Sequence, residues 1–108
     1  MENIEITFTR KFTSQDIDKI VNLALKEGIS YWCGRYESID GPISKGGKLM
    51  LHDIDDDSEV WELDLDKLIK GIRQVIENYY WTGKMDDCTP ETTDNIIQYA
   101  LFVELYVW

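Results

Sequence analysis

Residues 48–65 read KLMLHDIDDDSEVWELDL. Leu49 and Leu51 begin one strand, and Val60, Glu62 and Asp64 then alternate with Trp61, Leu63 and Leu65, which is the period of a second. Between the two runs lie Asp55, Asp56, Asp57 and Ser58, whose short polar side chains bond nearby backbone and so favour a turn. The stretch predicts a β-hairpin over 48–64. Asp64 can cap a helix directly behind it, with Leu65, Leu68, Ile69, Ile72, Ile76 and Tyr79 as the apolar stripe.

Outward from the hairpin, the same two periods organise the rest of the chain. Ile4, Ile6 and Phe8 alternate as a strand. Thr13 or Ser14 caps a helix with Asp16 in its first turn, Ile17, Ile20, Val21, Ala24 and Leu25 on one face, and Gly28 at its stop. Residues 29–39, rich in Tyr, Trp and Ile, predict a second strand, and Asp40, Gly41, Pro42 and Gly46-Gly47 a loop. Gly71, inside the helix that follows the hairpin, implies close packing there, and Gly83 is placed to end that helix. Thr89-Pro90 starts a last helix, with Thr93 an alternative cap and Ile96, Ile97, Ala100 and Leu101 as its apolar face. The tail FVELYVW favours a strand over a prolonged helix. The order predicts one α+β domain over 1–108, a mainly antiparallel sheet of four or five strands packed against about three helices.

Composition narrows the function. With 44% hydrophobic residues the chain can build a core. Eleven Lys and Arg against 21 Asp and Glu leave a net charge of −10, which argues against direct binding to nucleic acid or to an anionic membrane. No apolar run has the length of a membrane span, and the opening MENIEITFTRKF has no signal-peptide core, so the expectation is a cytoplasmic protein. Cys33 and Cys88 are too few for a disulfide framework and are expected to be reduced thiols.

The strongest local feature is acidic. Asp53, Asp55, Asp56, Asp57, Glu59, Glu62, Asp64 and Asp66 follow one another with no Lys or Arg between them. Carboxylates two apart on a strand stand about 6.6 Å apart on one face, a spacing of the order of a nucleic-acid backbone. Such a row suits a partner built to grip phosphates, and the alternative is a solvated hairpin tip that aids solubility. Asp53, Asp55 and Asp57 match three positions of an EF-hand loop, but Ser58 stands where glycine is needed, Asp64 where a bidentate glutamate is needed, and a strand precedes instead of a helix. No metal site or cofactor is therefore expected. His52, the one histidine, is expected to be an ordinary hydrogen-bonded side chain rather than a base for Cys33 or Cys88. With no phosphate loop and no nucleophile motif, no catalytic residue is assigned and an enzyme is not expected.

Aromatics are the second unusual feature. Tyr79, Tyr80 and Trp81 cannot all point inward from one helix, so Tyr80 or Trp81 is expected to be an exposed anchor for a partner. Tyr106 and Trp108 are candidates for a homodimer contact. Trp32 and Trp61 would instead stack on a base if Arg35, Lys45 and Lys48 formed a basic pocket, which would make the protein a nucleotide-signal sponge.

The strings ISYWC, GGKLMLHD, VWELDLDKLIKGI and DNIIQYALF resemble a group of small acidic proteins from phages and integrated elements of Gram-positive bacteria. The resemblance runs from about Ile29 to Glu104 and transfers no individual functional residue. It implies an anti-defence context, that of anti-CRISPR proteins and antirestriction DNA mimics. The expected function is thus a non-enzymatic inhibitor that blocks the nucleic-acid-binding surface of a host CRISPR effector or restriction enzyme. Sequestration of a small molecule and an adaptor role with a protein partner are the alternatives.

Overall fold

The computed structural model describes residues 11–102. Helix α1 covers Ser14–Leu23 and runs on into a π-helical turn, Ala24–Gly28. Strand β1 is Cys33–Ile39, β2 is Lys48–Asp53 and β3 is Val60–Leu63. Helix α2 is Leu65–Glu77 and α3 is Pro90–Leu101, with short 3-10 turns at Ile43–Lys45 and Met85–Asp87. The sheet is antiparallel in the order β1-β2-β3. The α+β class is as expected, but three strands lie among the described residues instead of four or five. The strand expected at Ile4, Ile6 and Phe8 lies outside the described residues, as does the tail from 103 onward, which includes Tyr106 and Trp108.

The helix starts follow from their caps. Thr13 Oγ1 accepts from the Asp16 amide at 3.1 Å, and Asp16 returns a bond to the Thr13 amide at 3.0 Å, so Thr13 and not Ser14 is the cap. Thr89 and Thr92 make the same reciprocal pair ahead of Pro90. Thr93 is no cap, since its hydroxyl donates to the Pro90 carbonyl. Asp64 Oδ1 accepts from the Lys67 amide at 2.9 Å, which places the turn from β3 into α2 as expected.

Two boundaries and one helix face move. Residues 29–32 are a hydrogen-bonded turn, with Cys33 N donating to Ile29 O, so β1 starts at Cys33 and not at Ile29. Ile29 and Trp32 are both buried, three residues apart, which alternation cannot provide. The inward face of α2 is Leu68, Gly71, Ile72 and Val75, while Ile69 is 40% exposed. The helix is rolled because Gly71 abuts α3: a Cβ there would collide with the Ile96 carbonyl and crowd Ala100. Finally, α2 ends at Glu77 and not at Gly83. Tyr79 takes the left-handed conformation, φ 64°, and the Tyr79 and Tyr80 amides donate to Ile76 O and Val75 O, closing a Schellman motif without glycine. Tyr79 is consequently 94% exposed and is no part of the core stripe.

The helices cover one face of the sheet. Leu49, Leu51 and Leu63 are buried toward Ile20, Leu68, Val75, Ile96 and Ile97. Side chains of this kind contribute about 1.5–3 kcal/mol each on full burial. The pairing register puts Arg35, Glu37 and Ile39 of β1, Lys48, Met50 and His52 of β2, and Val60 and Glu62 of β3 on the opposite face.

Candidate interaction surface at the acidic hairpin

Backbone geometry explains why the acidic turn is ordered. Asp53 Oδ2 accepts from the Asp56 amide at 3.0 Å, and Asp56 Oδ1 accepts from the Ser58 amide and hydroxyl. Glu59 N donates to Asp56 O, and Asp53 N to Glu59 O. Asp53 and Asp56 therefore shape the turn, an Asx arrangement that an all-carboxylate sequence supplies for itself.

Arg35 lies across this turn. Its Nε and Nη2 bind both oxygens of Asp57, at 2.6 and 3.0 Å, and its Nη1 binds Glu37 Oε1 at 2.6 Å. These bonds hold the Glu37 and Asp57 carboxyls below the usual carboxylate range and raise the guanidinium further above its own. His52 sits beneath, its Nδ1 2.8 Å from the Asp57 carbonyl oxygen.

The expected acidic row thus divides. Asp55, Asp56, Asp57 and Glu59 are exposed at the tip, with Asp53 half-buried at its base. At the other end of β3, Glu62 pairs with Lys48 at 3.4 Å, Asp64 caps α2 and Asp66 is exposed in the first turn of α2. Asp57 and Glu62 are partly neutralised by cations, whereas Asp55, Asp56 and Glu59 have no ion pair among the described residues. The row is a tip cluster and a base cluster, separated by the roughly 13 Å of a four-residue strand.

Of the two expected anchors, Tyr80 is 52% exposed, but Trp81 is buried at 6%, its Nε1 donating to the Lys84 carbonyl and its ring packed near Phe12. Tyr79 is the exposed ring that its helical spacing concealed. Four residues of the aromatic-pocket alternative make other contacts. Trp32 and Trp61 meet each other edge to face at 5.6 Å, Arg35 is held by Asp57 and Glu37, and Lys48 by Glu62. A groove of about 530 Å³ between the start of α1 and α2 is lined instead by Phe12, Ile17, Leu65, Ile69 and Ile72, with Arg73 among its polar residues.

A buried acid lies outside the predicted set. Asp94 on α3 accepts from Trp32 Nε1 at 2.8 Å, Tyr31 OH at 2.6 Å and Gln98 Nε2 at 3.0 Å. Burial, and then Asp94, push the Tyr31 phenol well above its ordinary range, so it stays a donor. The pattern i, i+4 of Asp94 and Gln98 was visible in the sequence, but its donors lie some sixty residues away. The Cys33 thiol donates to the Arg35 carbonyl and is pushed up by burial, the opposite of an activated nucleophile.

No family model, curated protein or solved structure matches this chain.

Proposed function

We propose that this chain is a non-enzymatic inhibitor that seats its acidic hairpin in the cationic groove of a nucleic-acid enzyme, of the kind found in a CRISPR effector or restriction nuclease, and so occupies the path of the phosphates. The observation that carries the reading is the tip itself. Asp55, Asp56, Asp57 and Glu59 are exposed together on a turn whose own hydrogen bonds set their positions. A turn already ordered loses little backbone freedom on binding, and a concentrated field speeds encounter with a cationic surface and sets its register. A host cell context and an anti-defence role come from the resemblance of the sequence strings alone.

The structure-guided test spares the acids that build the fold. Asp55→Asn with Glu59→Gln removes two tip charges that make no side-chain hydrogen bond among the described residues. Purified CRISPR effectors and restriction nucleases are assayed for inhibition, with duplex DNA as competitor. The expected result is inhibition that DNA relieves, that weakens with salt, and that the double variant loses by roughly tenfold. Full inhibition by the double variant, or a panel with no enzyme inhibited, overturns the reading.

A further inference from the structure

We propose that His52 is a proton-operated latch that ties β1 to the acidic turn when the surroundings are acidified. His52 is the one histidine of the chain and lies on the central strand, paired with Arg35 on one side and Val60 on the other. Its side chain is only 8% exposed. A backbone carbonyl can only accept, so the 2.8 Å contact with Asp57 O requires the proton of the neutral ring to sit on Nδ1. Nε2 is then a bare lone pair. It is buried and has no hydrogen-bond partner among the described residues, and it faces Glu37 Oε1 at 3.7 Å, another acceptor. An unfilled nitrogen facing a carboxylate is a place prepared for one proton.

Protonation turns that apposition into a donor facing an anion. Closing from 3.7 Å to the roughly 2.8 Å of a charge-assisted bond requires a movement of about 1 Å. The Glu37 side chain is 53% exposed and able to make it, while Arg35 keeps both oxygens of Asp57. The charged groups around the ring are Arg35 and Glu37 from β1 and Asp57 from the turn, whose Oδ1 is 3.6 Å from Nδ1. Val60, opposite on β3, is uncharged, and the Cys33 thiol stays protonated beside the His52 backbone. Arg35 opposes the added charge and the two carboxylates favour it. The protonated ring holds the Asp57 carbonyl through Nδ1 and Glu37 through Nε2, so a single proton spans β1, β2 and the turn. It also adds one positive charge beneath the tip.

Nitrogen-15 NMR of the intact chain, followed from alkaline to acidic conditions, tests this. At the alkaline end the expected tautomer carries its proton on Nδ1, and acidification adds the second at Nε2. Amide exchange at Ser58 and Glu59, corrected for its intrinsic pH dependence, is expected to slow by about threefold, the scale of a partly exposed ion pair. Glu37→Gln, a surface change that leaves the Arg35–Asp57 pair in place, is expected to keep the Nδ1–H tautomer and lose the slowing. An Nε2–H tautomer at the alkaline end, or equal slowing in Glu37→Gln, overturns the latch. Neither measurement involves a partner, so the latch and the proposed inhibition fail separately.

Discussion

Asp94 shows how much one side chain organises. Placed on α3 at 7% exposure, it receives donors from Tyr31 and Trp32 and so fixes the turn between α1 and β1 against the last helix. Removing it would leave the Trp32 indole N–H and the buried amide of Gln98 without this acceptor. Asp94→Ala is therefore expected to lose about 2–4 kcal/mol, since buried donors deprived of a charged acceptor keep their desolvation cost. Urea unfolding followed by tryptophan emission measures it. A loss under about 1 kcal/mol would mean that water replaces the carboxylate, and Asp94 would then be no clamp. The Tyr31 phenol is raised, so its contribution is complete below the ordinary phenol range near pH 10 and disappears as pH climbs through the folded value.

At the scale of the element, the hairpin carries a pH response of its own. Glu37 and Asp57 are depressed, chiefly by Arg35. A depressed carboxylate stabilises above its unfolded value, near pH 4, and that stability is lost as pH falls through the folded value. Arg35→Gln is accordingly expected to weaken the hairpin at neutrality and to remove most of its loosening by acid, because the two carboxylates then lack the guanidinium whose pairing acid can break. Amide exchange at Ser58 and Glu59 between about pH 6 and about pH 3 reads it. An unchanged acid profile would show that the Asx bonds alone hold the turn. The hairpin and the three caps were legible in the sequence because they rest on local chemistry: alternation, a run of turn residues, and Thr or Asp ahead of an apolar stripe. The roll of α2 was not. Leu68 and Ile72 were predicted inward, but Val75 replaces Ile69 because Gly71 lets the backbone of α3 approach, and that contact joins residues far apart in sequence. Glycine inside α2 was the signal, and it announced close packing without saying which face would turn.

At the scale of the whole molecule, the charge pattern was legible in kind but not in arrangement. Eight carboxylates in a row are read easily, whereas Arg35 across Asp57 depends on the pairing of β1 with β2, and the separation of tip from base depends on where β3 ends. Buried Trp81 and exposed Tyr79 likewise follow from a left-handed residue that no local preference announces. The same charge that would serve recognition works against compactness. A chain of net charge −10 repels itself, and the repulsion is strongest where Asp55, Asp56, Asp57 and Glu59 share one turn. Asp55→Asn with Glu59→Gln is therefore expected to melt higher than the parent chain at low salt, by about 3 °C, the shift that about 0.5 kcal/mol gives a domain of this size. Raising the salt from about 0.02 M to about 0.5 M should bring the two melting curves together, because screening shortens the reach of the field from about 20 Å to a few ångströms. If the double variant melts lower at low salt, those carboxylates support the fold. They would then not be a surface kept at the expense of stability, and the case for the tip as a place of contact would lose its physical basis.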